Sequence, residues 1–419
     1  MNIEDKNTEL ENINVDDTDV STETDTVEVK RSRRWPTIVI TAVITLLVTM
    51  VITTVLFFST FGDALNVALR YKKLYEIETI IESRFIGDAE FSEILDGAAS
   101  GMISGIGDQW SSYISADELA AYNDNRSNSY VGIGITVSKN VGEYMYISEV
   151  NPTGGAYNAG MLPGDYVKSV EGIDILDMEL ESVTELIKGE EGTKVDITII
   201  RDGKDINVSV ERLRVVEASI EYEMIGNVGY IRILNFYDNT AADFKSAVET
   251  VIAEGAAGLV FDVRYNGGGY LRELYQMLDY VLPEGVIFRT EDREGNEYTE
   301  ESDASCVDMP IAVLINDMSI SAAEYFAAVI SEYNWGTLVG INTLGKGYSQ
   351  ELIYLSDGSA VNLSTRRYFT PNGICLAGVG LTPDIVVEIS DEEYVGLYYK
   401  TVTHDDDTQL QKAIEILNN

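Results

Sequence analysis

Histidine is almost absent from this 419-residue chain: the one copy, His404, sits in the acidic stretch TVTHDDDTQL near the C-terminus. A serine nucleophile elsewhere in the chain would therefore call for a lysine as its base. Cysteine is nearly as scarce. Cys306 and Cys375 make neither a disulfide framework nor, with one histidine, a zinc site, so no metal is implied; whether the two pair is left open by their spacing. Positive charge is in short supply too, 29 Lys and Arg against 70 Asp and Glu, a net charge of −41. Phosphate backbones would be repelled, which excludes nucleic acid as a partner. What remains is ordinary for a globular protein, 45% hydrophobic and 24% charged, and long enough for two or three domains.

Residues 1–29 contain almost no large apolar side chains, so they cannot bury enough surface to fold. Residues 1–34 are expected to be a disordered acidic tail ending in a basic flank. Residues 37–58, TIVITAVITLLVTMVITTVLFF, contain no charge at all. As a helix they would be roughly 33 Å long, enough to cross a bilayer core. The basic run KRSRRWP before them puts the N-terminus in the cytoplasm and the rest outside, with residues 35–60 as a single-pass anchor. A cleaved signal peptide is the competing reading; the apolar run is long for one, and FSTFGDALN offers no small-residue cleavage site.

The remainder divides by texture. Residues 63–126 carry helical periodicity, and Ser115 three residues before Glu118 is a capping box that starts a helix. Residues 127–213 are short β-branched strands separated by turn signals such as NPTGG, LPGD and RDGKD, with one helix, ESVTELIKG. From 214 to 390 strands and helices alternate, which predicts an α/β domain with a partly parallel sheet. Residues 391–419 form an acidic, helical tail. The fold class is a multidomain mixture of α+β and α/β parts.

Four segments could carry chemistry. In NDMSISAAE, Ser321 begins a helix; Ser321-Ala-Ala-Glu324 is itself a capping box, but a serine there also stands beside free backbone amides able to hold an oxyanion. In GINTLGKGYSQ, Lys346 would ordinarily be a solvated loop residue. As a base near neutral pH it must lose about three pKa units, which requires burial, and the flanking TLVGI and ELIYL are apolar enough to provide it. Gly340–Gly347 mimics a phosphate-binding G-x-x-x-x-G-K, yet it lacks the final hydroxyl and runs into a strand, so no nucleotide cofactor is implied. Arg264-Tyr-Asn-Gly-Gly-Gly269 follows strand GLVFDV and reads either as a tight turn or as a backbone nest. Val131-Gly-Ile-Gly134 is a glycine turn opening strand GIGITV.

Taken in this order, the segments GDQWSSYISADE, YVGIG, RYNGGG, NDMSISAAE, GINTLGKGYSQ and GVGLTPDIVVE resemble the carboxy-terminal processing peptidases, or tail-specific proteases, over about residues 70–390. The resemblance implies a PDZ domain and a protease core of ClpP/crotonase-like α/β fold. It makes Ser321 the nucleophile, Lys346 the general base and Gln350 the polar residue that orients the lysine. It assigns the oxyanion hole to the backbone N–H of Ala322 and that of Gly267 or Gly268. Gly267 stands where the family more often has proline. The loop Val131, Gly132, Ile133, Gly134 would take the carboxylate of a substrate tail, the peptide adding a strand to the PDZ sheet. The implied protein is a membrane-anchored serine endopeptidase on the outer face of a bacterial plasma membrane. Its partners would be protein C-termini, with a homo-oligomer as a further possibility. The rival reading is a catalytically silent PDZ scaffold.

Overall fold

The structure, a computed structural model, describes residues 34–418, which divide into two compact units, residues 34–89 and 90–418. The expected cytoplasmic tail lies, but for Arg34, outside the described residues.

In the first unit the apolar run and the periodic segment after it form one continuous helix, Trp35–Arg84, of 50 residues. Pro36 falls in its first turn, where a missing N–H leaves no hydrogen bond unmade. The stretch Trp35–Phe61 has a mean hydropathy of 2.6 over its most apolar window and buries none of that window in the protein. Its 27 residues would span about 40 Å, so one N-terminal helix is long and apolar enough to cross a membrane.

The second unit opens with helices Phe91–Ser104 and Ala116–Arg126, the latter started by the Ser115–Glu118 capping box. A two-stranded ribbon, Ser129–Gly132 with Leu213–Val216, leads into and out of the next module. There a sheet runs in the order 135–138, 145–150, 166–170, 194–201, 204–211, with helix Leu180–Ile187 beside it. Alternate residues of strand Lys194–Arg201 point inward, so Val195, Ile197 and Ile199 join Met145, Ile147 and Val167 in one core.

The larger module is built on a six-stranded sheet in the order 220–225, 228–233, 258–262, 311–315, 337–340, 385–386. The first pair is antiparallel and the others are parallel. Strands Gly258–Asp262 and Ile311–Ile315 are buried throughout, which is why their sequences are continuous apolar runs rather than alternating ones. Helices Thr240–Ala253, Leu271–Val281 and Ala322–Glu332 cover one face. The C-terminal helix Thr408–Leu417 covers the other, burying Leu410 and Ala413 against Val260, Ala312 and Leu314. A second, five-stranded antiparallel sheet has strand Ala360–Phe369 at its centre, pairing with 112–114, 285–292 and 348–354. The hairpin 285–292/297–302 within it carries no signal used in the sequence reading.

The C-terminal segment thus packs into the core. Asp407 caps the last helix by accepting from Leu410 N at 3.0 Å, and it pairs with the buried Arg264 at 2.7 Å. Arg264 also binds Asp262 at 2.7 Å and Gln409 Oε1 at 3.1 Å. His404, in the turn before that helix, meets the Tyr230 ring and Glu223. Replacing one partner of a buried ion network leaves the other charge uncompensated. Asp407→Ala should therefore lower unfolding stability by about 3–5 kcal/mol, read as a reduced thermal midpoint, while His404→Ala should change it by less than about 1 kcal/mol.

Candidate active site

At the carboxyl end of strand Ile311–Ile315 the chain turns through residues 316–321 into helix Ala322–Glu332, the position at which open α/β sheets place their sites. The turn is clamped to the neighbouring loop 264–269. Asn316 Oδ1 accepts from Met318 N and Tyr265 N, Ser319 Oγ donates to Val263 O at 2.8 Å, and Ile320 N donates to Asn266 O at 2.9 Å. These bonds hold Ser321 at φ 61°, ψ −116°. That conformation costs on the order of 1–3 kcal/mol and persists only where the surroundings over-determine it.

Gly268 lies directly against this serine. A Cβ there would sit 2.9 Å from Ser321 Cβ and 3.0 Å from Ala322 N, and its φ is +91°, so only glycine fits. The loop is held by Asn266, fully buried, whose Nδ2 donates to Ile233 O at 2.7 Å and whose Oδ1 accepts from Gly268 N at 2.8 Å. The Gly268 amide is thus occupied in this state. The N–H groups of Ala322 and Gly267 make no hydrogen bond among the described residues.

Ser321 and Lys346 are joined by a residue that the sequence reading had only as a helix cap. Glu324 is fully buried, and its carboxylate accepts four hydrogen bonds: from Ser321 N (2.8 Å), Thr343 Oγ1 (2.6 Å), Gly345 N (2.6 Å) and Lys346 N (3.0 Å). One carboxylate thereby fixes the serine turn and the lysine loop to each other. The available signal was an acid inside the apolar run AAEYFAAVI.

The Lys346 amine is drawn out of water, and desolvation together with the nearby Arg126 charge lowers its pKa to about 8 against the opposing pull of Glu324 and Asp108. Its Nζ lies 4.6 Å from the centre of the Trp110 ring and donates no hydrogen bond among the described residues. Tyr368 donates to the Lys346 carbonyl at 2.5 Å. Gln350 is close by on strand Tyr348–Tyr354, with Nε2 donating to Tyr348 O (3.0 Å) and Ser364 Oγ (2.9 Å). Among the described residues no hydrogen bond links Ser321 Oγ, Lys346 Nζ and Gln350. Asp108, Trp110, Arg126 and Ser364 were not foreseen, since each comes from a distant part of the sequence.

In the smaller module, Val131, Gly132, Ile133 and Gly134 line a groove of about 240 Å³ with Ile135, Met145 and Ile187. The Ile133 and Gly134 N–H groups make no hydrogen bond among the described residues. Glycine is required at Gly134, whose φ is +77° and whose Cβ would fall 2.8 Å from the Gly154 backbone. Cys306 and Cys375 are both free.

A strained serine at a helix start, amides open beside it and a buried lysine across a shared carboxylate define a serine-type peptidase, here joined to a peptide-binding module. Residues 227–387 match the model of peptidase family S41, and residues 130–211 that of the PDZ domain. A carboxy-terminal-processing protease of Bartonella bacilliformis is 30% identical over 76% of this chain and 76% of its own length. A protein of Staphylococcus saprophyticus described as a CtpA-like serine protease is likewise 30% identical, over 76% of this chain and 65% of its own. The crystal structure of a protein of Bacteroides fragilis described as an S41 protease shares the fold, with a TM-score of 0.50 and 17% identity over 80% of this chain and 92% of that one. The chain belongs to peptidase family S41 and is a carboxy-terminal-processing serine protease with a PDZ domain.

Glu324→Gln keeps the size of the side chain but turns an NH2 group toward N–H donors. It should reduce stability by about 1–3 kcal/mol and speed amide exchange at Ser321, Gly345 and Lys346, measured by hydrogen exchange. Exchange rates unchanged at all three would show that the carboxylate does not join the two segments.

Proposed function

We propose that Ser321 is the nucleophile, Lys346 the general base and Gln350 its orienting partner, in a protease anchored by helix 35–61. The observation that carries the reading is the single buried Glu324 carboxylate, bound at once to the backbone N–H of Ser321 and of Lys346. It keeps the serine and the lysine within one side chain's reach while the lysine stays desolvated.

In this mechanism the neutral Lys346 amine takes the proton of Ser321 Oγ as that oxygen attacks a peptide carbonyl. The developing oxyanion is held by the N–H groups of Ala322 and Gly267, the two that are open; Gly268 would contribute only on release from Asn266. The lysine returns its proton to the leaving amine, and water then hydrolyses the acyl-enzyme. Because Lys346 rests over Trp110, turnover begins with a rotation of its flexible stem toward Ser321. Substrates are proteins with apolar C-termini. The terminal carboxylate is taken by the Ile133 and Gly134 amides and the last side chain by the pocket of Ile135, Met145 and Ile187. Basic residues before the span and Trp35 at its start support a cytoplasmic N-terminus and a protease outside a bacterial plasma membrane.

Full-length protein in detergent, given an unfolded substrate with an apolar tail, tests the assignment. Ser321→Ala and Lys346→Ala should each cut turnover by about 10³-fold or more, followed by mass spectrometry of fragments. Cleavage that survives either change refutes the pair. The base must be neutral to act, and its pKa is about 8. Activity should therefore rise with pH and reach half its plateau at about 8, a limb absent if Lys346 is not the base. Ile187→Asp, which puts a charge into the groove, should raise KM for tailed substrates by about tenfold or more and leave kcat unchanged.

A further inference from the structure

The turn Gly107–Ser111 lies ahead of the PDZ domain in sequence, yet its polar atoms converge on the strands that carry Gln350 and Ser364. Strand Ser112–Ile114, which follows the turn, pairs antiparallel with Ala360–Phe369 in the register Ser112↔Asn362, and this fixes the turn against that sheet. Ser111 Oγ donates to Asp108 Oδ2 at 2.5 Å and accepts from Ser364 N at 3.0 Å. Trp110 N donates to Asp108 Oδ1 at 3.2 Å. The Ser364 hydroxyl also favours the charged form of the same carboxylate. Burial alone would raise the Asp108 carboxyl. The bonds from Ser111 and Trp110, with the Ser364 hydroxyl and the Lys346 charge, hold it below the usual carboxylate range, so it is ionised at neutral pH.

An ionised carboxylate only accepts hydrogen bonds, and this sets the direction of the whole chain. Ser111 gives its proton to Asp108 and so presents a lone pair to Ser364 N, which places the Ser364 oxygen to accept from Gln350. Gln350 therefore presents Nε2 to Ser364 Oγ (2.9 Å) and to Tyr348 O (3.0 Å), using both amide hydrogens. Its carbonyl oxygen accepts nothing among the described residues. That oxygen is a free acceptor for an ammonium, and Lys346, four residues before Gln350, holds its amine over the Trp110 ring of the same turn.

We propose that Asp108 is a positioning residue for this protease, fixing the Gln350 amide through Ser364 so that its carbonyl oxygen receives the protonated Lys346. The inference rests on the Ser321–Lys346 reading above. When Lys346 has taken the Ser321 proton, one ammonium N–H donates to Gln350 Oε1 and holds the amine in place until the proton passes to the leaving nitrogen. The charged groups facing Lys346 are Asp108 from the turn, Glu324 from helix Ala322–Glu332 and Arg126 from the end of helix Ala116–Arg126. Of these, Asp108 belongs to no other part of the proposed machinery.

The test compares pH profiles of kcat and KM for full-length wild type, Asp108→Asn, Asp108→Glu and Ser364→Ala. An asparagine can offer its NH2 to Ser111 Oγ in place of an acceptor, which unsettles the Ser364 strand and with it Gln350, and it removes a negative charge beside the ammonium. Asp108→Asn should lose about ten- to a hundredfold in kcat, within the ~10²–10⁴ of positioned acid–base catalysis, with KM unchanged. Its acid limb should move to lower pH by about 0.5–1 unit. Ser364→Ala should show a similar loss in kcat with the limb in place, and the double variant should be no worse than Ser364→Ala alone, because both act through one chain. Asp108→Glu should restore the limb. An Asp108→Asn profile whose acid limb coincides with wild type overturns the proposal whatever its amplitude, since misfolding lowers amplitude without moving a pKa. Full cleavage by Ser321→Ala or Lys346→Ala in the same series would instead remove the reading beneath it.

Discussion

One buried carboxylate holds the candidate site together. Glu324 has no exposed surface and satisfies its four acceptor positions with donors from two segments that are distant in sequence. A charge so placed is tolerable because every lone pair is met and a lysine stands nearby. The same bonds that solvate it fix Ser321 in a strained conformation and lead the 343–346 loop past it. The serine turn and the lysine loop are therefore one structural unit, and neither can shift without leaving a buried acid unsatisfied.

The sheet explains why such a unit can exist. Strands Gly258–Asp262 and Ile311–Ile315 are adjacent and parallel, so the loops leaving them emerge on the same edge. Asn266 and Asn316 stitch those two loops together, and the glycine at 268 lets the backbones close to contact distance. Beneath them Arg264 binds Asp262 and Asp407 and ties the C-terminal helix to the opposite face. The polar groups near the site are thus supported from both faces of one sheet.

The candidate groups are held by their neighbours rather than by one another. Lys346 lies on Trp110, Gly268 N is taken by Asn266, and Gln350 is held by Ser364. A lysine with a pKa of about 8 is mostly protonated at neutral pH, and a cation is what an aromatic face holds best. On the proposed reading, holding the lysine as its ammonium and releasing it when neutral couples the proton to the geometry.

Much of this was legible in the residues. Apolar period marked the membrane-length helix, the β-rich module and the α/β core, because burial on one face or two dictates spacing directly. The near absence of histidine pointed to lysine, and the glycine-flanked and capping motifs marked Ser321, Lys346 and the 264–269 loop, because local backbone geometry demands those residue types. The packing of the 391–419 segment, the buried role of Glu324 and the convergence of Asp108, Trp110 and Arg126 on Lys346 were not legible. Each depends on strands paired across long sequence separations, and a single chain read in order carries no record of which distant side chains desolvate one another. The sequence by itself determined the element types, the module order and the nucleophile and base candidates, since these follow from local periodicity and residue chemistry. Only the tertiary structure decided the amine's burial, the direction of the Gln350 amide and the join between the two loops, since these follow from which atoms share a low-dielectric space.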